Sequence, residues 1–360
     1  GGEPLYDTQV LIRIAEAAEK KTSIPAYPES VRRVLSAVQS SSIFWDIVSQ
    51  AEEPVPLTAE ILNLLQQEGM VQVEEEMLFL TSSGLTFCQE NGIRFSGVRA
   101  CPFCEGRGVD IQPYSDTLET FEEIVRQRPP ALQAYDQGFV TPRTTVARVA
   151  HMDLRGDLRG KALLILGDDD LVSIAAGISA LPSHICLIEV DPRLTSFVRS
   201  LSRDYRLNIE VVEQDLRQPL PPTLVGQFDT FETDPVESRK GFELFLQRGL
   251  ASLKGPRKAG YFGLTRLESS LNKWWDLQQF LLQAHTVITD LYPKFNQYAL
   301  WDYHSQTRAA QVAPIPLSPK NIWYTSYWFR IETLKGFQPK NEPFTEPREV
   351  LYEDGESSTT

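Results

Sequence analysis

Between Lys161 and Thr233 the chain repeats one pattern: a short continuous apolar run, an acid near its end, then a stretch of helical length. The runs occupy residues 162–167, 185–191, 209–212 and 228–233, and helical stretches at 171–180 and 192–203 separate the first three. A run that is apolar at every position suits a strand buried on both faces. Strands that alternate with helices imply a parallel sheet covered on both sides. The expectation is an α/β fold with a doubly wound, Rossmann-like sheet.

Composition narrows what such a fold can serve. The 360 residues carry 48 acidic and 35 basic side chains, a net charge of −13. That disfavours a nucleic-acid surface, which needs a basic field against phosphates. No uncharged apolar run approaches the roughly 20 residues that span a bilayer, and the start, GGEPLYDTQV, lacks a basic-then-apolar signal pattern. Four cysteines do not make a disulfide framework. A cytoplasmic protein with neither nucleic acid nor membrane as partner is expected, of two or three domains.

Upstream, helical periodicity at 7–20 and 28–39, a further stretch at 57–67 ending at Gly69, and two short strands around the turn Glu74-Glu75-Glu76 outline a winged-helix-like domain over 1–98. It reads as a dimerisation or lid module. An acidic ribbon turn and a candidate recognition helix without Lys or Arg do not suit DNA. A Cys-containing connector and a helix follow over 99–130, then the Rossmann-like domain over 131–337. The stretch 338–360, rich in Pro, Glu, Ser and Thr, reads as a disordered acidic tail.

Ligands of a doubly wound sheet sit at the carboxyl ends of its strands, and here these ends are acidic. The first is Gly167-Asp168-Asp169-Asp170, where three carboxylates would repel a pyrophosphate and favour a cationic ligand. Acids stabilising a helix N-terminus would account for one or two of them. Glu189 stands where such folds accept both ribose hydroxyls, and Asp215 where an adenine amino group could be accepted while Leu216 packs on the ring. The series suggests the adenosine site of a class I methyltransferase-type fold. Asp234-Pro235 after the fourth run resembles the Asp/Asn-Pro-Pro-Tyr element of amine methyltransferases.

The set YDQG (135–138), GDDD (167–170), IEVDP (188–192), TDP (233–235), LTRLESS (264–270) and YTSYWFRIE (324–332), behind the winged-helix-like region and CPxCxGRG (101–108), resembles the branched-chain polyamine synthases. Order and spacing carry the likeness, which covers most of the chain from about Ser42 to Glu332. The family tends to have DPP and TPET where this chain has Asp234-Pro235-Val236 and Thr141-Pro142-Arg143-Thr144. The resemblance implies an aminopropyltransferase that moves the aminopropyl group of decarboxylated S-adenosylmethionine to the central amine of spermidine. Its products would be N4-aminopropylspermidine, then N4-bis(aminopropyl)spermidine, and methylthioadenosine. It also implies that Asp136, Asp234 and Glu268 hold the polyamine while Gly167, Glu189, Asp215 and Leu216 hold the nucleoside.

The chemistry of the residues agrees. Both substrates are cations, so a carboxylate-lined groove suits them, and only a deprotonated amine can attack, which calls for a base. Asp170 is expected nearest the attacking nitrogen, with Asp168 and Asp169 beside it. Two other readings compete: an S-adenosylmethionine-dependent N-methyltransferase and a polyamine-sensing winged-helix regulator. Cys101 and Cys104 have the spacing of half a zinc knuckle without a second pair and read as a tight turn, so no metal and no tightly bound cofactor are expected. The aromatic positions 323–329, Trp274, Trp275 and His304 read as packing first. A homodimer is expected.

Overall fold

The structure is a computed structural model that describes residues 8–359. Residues 1–7, which include most of the segment read as lacking a signal pattern, and Thr360 lie outside the described residues. Four helices open the chain: α1 (Thr8–Thr22), α2 (Pro28–Ser40), α3 (Phe44–Ala51) and α4 (Val55–Gln67). They are followed by the antiparallel ribbon β1 (Val71–Glu74) and β2 (Met77–Leu80), then α5 (Ser82–Glu90). The helices bury one stripe each, as amphipathic periodicity requires. Their core is continuous with Tyr298, Trp301, Trp323 and Tyr324 of the larger domain. Trp45 joins the two, packing at a tilt against Trp323 with ring centroids 4.7 Å apart and donating from Nε1 to the carbonyl of Leu317 at 2.6 Å.

After a connector come α6 (Ser115–Val125) and α7 (Pro142–Leu154), then β3 (Ala162–Leu166), α8 (Val172–Ser179), β4 (His184–Glu189), α9 (Pro192–Tyr205) and β5 (Ile209–Glu213). The chain continues through β6 (Thr230–Thr233), α10 (Arg239–Ser252), β7 (Ala259–Leu264), α11 (Leu271–Gln283), β8 (Thr286–Gln297), α12 (Arg308–Val312), β9 (Thr325–Thr333) and α13 (Glu349–Tyr352). Side-chain caps fix several of these starts: Thr141, Asp191, Ser238 and Ser270 each accept an N–H from the first turn of the helix they open. Prolines at the first turn of α7 and α9 reinforce two of them.

The seven-stranded sheet has the order β5-β4-β3-β6-β7-β9-β8. The first five strands are parallel, as expected, while β9 runs antiparallel to both β7 and β8. This is the class I methyltransferase-like version of the doubly wound fold. The order reverses between β3 and β6, where a crevice opens at the strand ends. Register lines those ends up, with Leu166 opposite both Ile188 and Thr233, so that Gly167, Glu189 and Asp234 emerge side by side.

The tail departs from expectation. Instead of being disordered, it wraps the carboxyl edge of the sheet. Phe344 donates its N–H to the Arg217 carbonyl at 2.8 Å, the buried Arg248 donates to Glu342 O at 2.7 Å, Leu351 is buried, and Lys273 pairs with Asp354 at 2.8 Å. Composition foresaw a solvated chain because it counts acids without counting the partners waiting for them.

Candidate active site

A cleft lies across the ends of β3, β4, β5 and β6. Apolar walls with a few convergent polar groups give it the character of a small-molecule site. One half is lined by Gly167, Glu189, Asp215, Leu216, Arg217 and Phe245. Gly167 has φ +70, a left-handed conformation that leaves the backbone open to a ligand. Glu189 is ordered by three amides: Oε2 accepts the N–H of Asp168 at 2.7 Å, and Oε1 those of Val190 and Asp191 at 3.0 and 3.1 Å. Asp215 is held by Arg217, whose Nη2 and Nε lie 2.8 and 3.0 Å from Oδ2. Burial pushes the Asp215 carboxyl up, but that guanidinium keeps it below the usual range. This half offers oriented acceptors and an apolar wall of Leu216 and Phe245.

The other half gathers Asp136, Asp169, Asp234, Glu237 and Glu268 under Tyr298, Trp301, Tyr303 and Tyr324. Burial raises Asp136, Asp169 and Glu237 well above the ordinary carboxylate range, and repulsion from neighbouring carboxylates adds to it: Glu268 and Asp234 act on Asp136 and Glu237, Asp170 and Asp234 on Asp169. Asp234 accepts Tyr298 Oη at 2.5 Å and Arg148 Nη2 at 3.0 Å; burial pushes it up to about 6 against that arginine. A Cβ on Gly263 would stand 2.9 Å from Asp234 Oδ1, so only glycine leaves the carboxylate room. Glu268 accepts from the Tyr324 hydroxyl, and its Oε1 takes the N–H groups of Ser358 and Thr359 at 2.7 and 2.8 Å.

The three consecutive acids after β3 have three different fates. Asp168 caps α8, accepting Val172 N–H at 2.6 Å, Ser173 N–H at 3.2 Å and the Ser173 hydroxyl. It does not line the cleft, and the helix-terminus explanation suffices for it. Asp169 lines the cleft at the junction of the halves; Gly138 N–H binds its Oδ2 at 3.1 Å and Arg128 holds its carbonyl at 2.8 Å. Asp170, expected nearest the reacting nitrogen, is turned into the protein. Its Oδ1 accepts Val140 N–H and its Oδ2 accepts Arg148 Nη1, both at 2.8 Å. With α8 starting at once, three successive side chains leave the turn in different directions, and only the middle one reaches the cleft.

A family profile described as "Branched-chain polyamine synthase A C-terminal domain" matches residues 116–359. The chain belongs to the branched-chain polyamine synthase family. It is 46% identical over 353 residues to the N(4)-bis(aminopropyl)spermidine synthase of Methanocaldococcus jannaschii, covering 97% of this chain and 99% of that one. Against the protein of the same name from Thermococcus kodakarensis it is 45% identical over 349 residues, covering 96% and 99%. The crystal structure of the Thermus thermophilus branched-chain polyamine synthase, in complex with N4-aminopropylspermidine and 5'-methylthioadenosine, superposes with a TM-score of 0.92 at 37% identity over 98% of this chain and 100% of that one.

Of the residues named from sequence, this branched-chain polyamine synthase brings Asp136, Gly167, Asp169, Glu189, Asp215, Leu216, Asp234 and Glu268 into one cleft and leaves Asp168 and Asp170 out. Val236 lines it. Arg143 does not: it pairs with Glu105 at 3.1 Å, so its charge stays outside the acid cluster. Sequence reasoning missed Glu237, whose signal was a second acid in the same TDPVE turn. Arg128 and Arg148, placed on or beside helices remote in sequence, gave no signal. Cys101 and Cys104 sit in a connector turn, exposed and partly exposed respectively, outside the cleft. Among the described residues no helix is long and apolar enough to cross a membrane.

Proposed function

We propose that this enzyme transfers the aminopropyl group of decarboxylated S-adenosylmethionine to the central nitrogen of spermidine, giving branched polyamines and methylthioadenosine. The observation that carries the reading is the convergence of five carboxylates, Asp136, Asp169, Asp234, Glu237 and Glu268, beside a half-cleft of oriented acceptors and an apolar wall. Spermidine is a trication at neutral pH, because its amines titrate near the lysine range. Decarboxylated S-adenosylmethionine adds a sulfonium and an ammonium and has no carboxylate for the cleft to repel.

In this reading Glu189 accepts the ribose hydroxyls, Asp215 the adenine amino group, and Leu216 and Phe245 pack on the ring. Asp136, Asp234, Glu237 and Glu268 hold the ammonium ends of the acceptor. Asp169, at the junction, takes a proton from the central nitrogen before attack. The freed lone pair forms the new C–N bond to the propyl carbon, the C–S bond breaks in line, and its electron pair returns to sulfur as methylthioadenosine leaves. A second round consumes the tertiary amine: its ammonium must also lose a proton first, and the product is a quaternary nitrogen. One base therefore serves both rounds. A carboxyl whose affinity for protons is raised by burial is suited to the task.

Incubation with decarboxylated S-adenosylmethionine and spermidine should release methylthioadenosine and add one, then two, aminopropyl masses to the acceptor. Absence of both changes would overturn the reading, and methyl transfer from S-adenosylmethionine would replace it.

A further inference from the structure

On the protein side of the acid cluster, α7 carries an arginine to which no role has been given so far. Arg148 is fully buried. Its Nη1 bonds Asp170 at 2.8 Å and Glu232 at 3.0 Å, its Nη2 bonds Asp234 at 3.0 Å, and its Nε bonds Asn296 Oδ1 at 2.9 Å. The guanidinium also lies 4.7 Å from the ring centroid of Trp328. It is thus fixed on every side. Of its three carboxylate partners only Asp234 lines the cleft. A packing role alone would not require a cation, since a buried charge with three acids around it is costly to assemble.

We propose that Arg148 is a positioning residue that keeps the Asp234 carboxylate ionised and aimed at the acceptor amine. The inference rests on the aminopropyl-transfer reading above and adds the source of the charge balance at its acceptor end. The groups that face Asp234 are Arg148 from α7, Asp169 and Asp170 from the turn after β3, Glu232 from β6, Glu237 from its own turn, Asp136 from the segment before α7, and Tyr298 just after β8. Arg148 is the one cation in that set. Burial is the largest influence raising Asp234, Asp170 adds to it, and Arg148 opposes it. A carboxyl raised in this way binds a cation above its pKa and releases it as pH falls through about 6. Removing the arginine moves that threshold upward, into the working range of the site. Removing Asp170 moves it downward. A merely structural residue would not produce opposite displacements from two partners of one ion pair.

The test measures spermidine binding against pH, by calorimetry with methylthioadenosine bound, in the full-length protein. Spermidine itself keeps its charge between pH 5 and about pH 7, so a midpoint in that window belongs to the protein. Arg148→Gln should raise the midpoint by about one pH unit or more while the Kd for methylthioadenosine stays within about twofold. Arg148→Lys should restore the midpoint but not full affinity, since an ammonium cannot span Asp170 and Asp234 as the planar fork does. Asp170→Asn should lower the midpoint. If Arg148→Gln does not bind methylthioadenosine and is therefore misfolded, Arg148→Lys and Asp170→Asn decide the matter. Unmoved midpoints, or shifts of the same sign for Arg148→Gln and Asp170→Asn, overturn the proposal. A wild-type protein that shows this pH profile but forms no aminopropyl product overturns the transfer reading and leaves Arg148 in place.

Discussion

The two halves of the cleft are built from the same residue type and treat it in opposite ways. In the proposed nucleoside half Glu189 is tied down by three backbone amides and Asp215 by an arginine, so each presents a fixed acceptor direction; the arginine answers the charge of Asp215, while burial still raises Glu189. In the proposed acceptor half Asp136, Asp169 and Glu237 each face Asp234, and burial, with repulsion from it and from Glu268 or Asp170, pushes each of them up. In the proposed reading the first arrangement recognises the uncharged nucleoside by direction. In the same reading the second crowds buried carboxyls that a polycation would relieve. Counting acids does not separate the two; asking which carboxyls crowd one another does.

Substitutions should divide along the same line. The largest effect is expected from Asp169→Asn, which removes the proton acceptor at the junction and should lower kcat by about 10²- to 10⁴-fold while both substrates still bind; single-turnover kinetics with both binding constants would check it. Next, Asp234→Asn should raise the Kd for spermidine about tenfold or more and leave methylthioadenosine binding unaffected. Glu189→Gln should do the reverse, weakening methylthioadenosine about tenfold with spermidine unchanged. If either variant affects both ligands equally, the halves are not independent.

The smallest effect is on stability. Asp136, Asp169, Asp234 and Glu237 have folded pKa values above their unfolded ones, Asp234 at about 6 against 3.8. Between those values the folded protein holds more protons than the unfolded chain, so the stability of the ligand-free enzyme should decline as pH rises from about 4 to about 6. Spermidine should then raise the Tm more at pH 7 than at pH 5, read by thermal unfolding.

The parallel strands and the acids at their ends were legible in the sequence, because continuous apolar runs and strand-end residues are local signals. Gly167, Glu189, Asp215 and Asp234 came from that rule, and Asp136 and Glu268 from the family pattern. What was not legible depends on direction and on distant partners. Whether Asp168, Asp169 or Asp170 enters the cleft is set by the turn into α8. The answer to Asp170 is Arg148, 22 residues earlier in the chain. The tail was misjudged for the same reason: Ser358 and Thr359 look solvated until Glu268, 90 positions away from Ser358, is found to accept their N–H groups.

The central claim, that a directional nucleoside seat adjoins a polycation seat held by charge, is tested most directly by titrating methylthioadenosine and spermidine into the same protein at low and high salt. Raising salt from about 0.1 M to about 1 M shortens the screening length from about 10 Å to about 3 Å. The account predicts that spermidine binding weakens by about tenfold or more while the Kd for methylthioadenosine, an uncharged ligand, changes by less than about twofold. Equal salt dependence for the two ligands, or spermidine binding indifferent to salt, would contradict it.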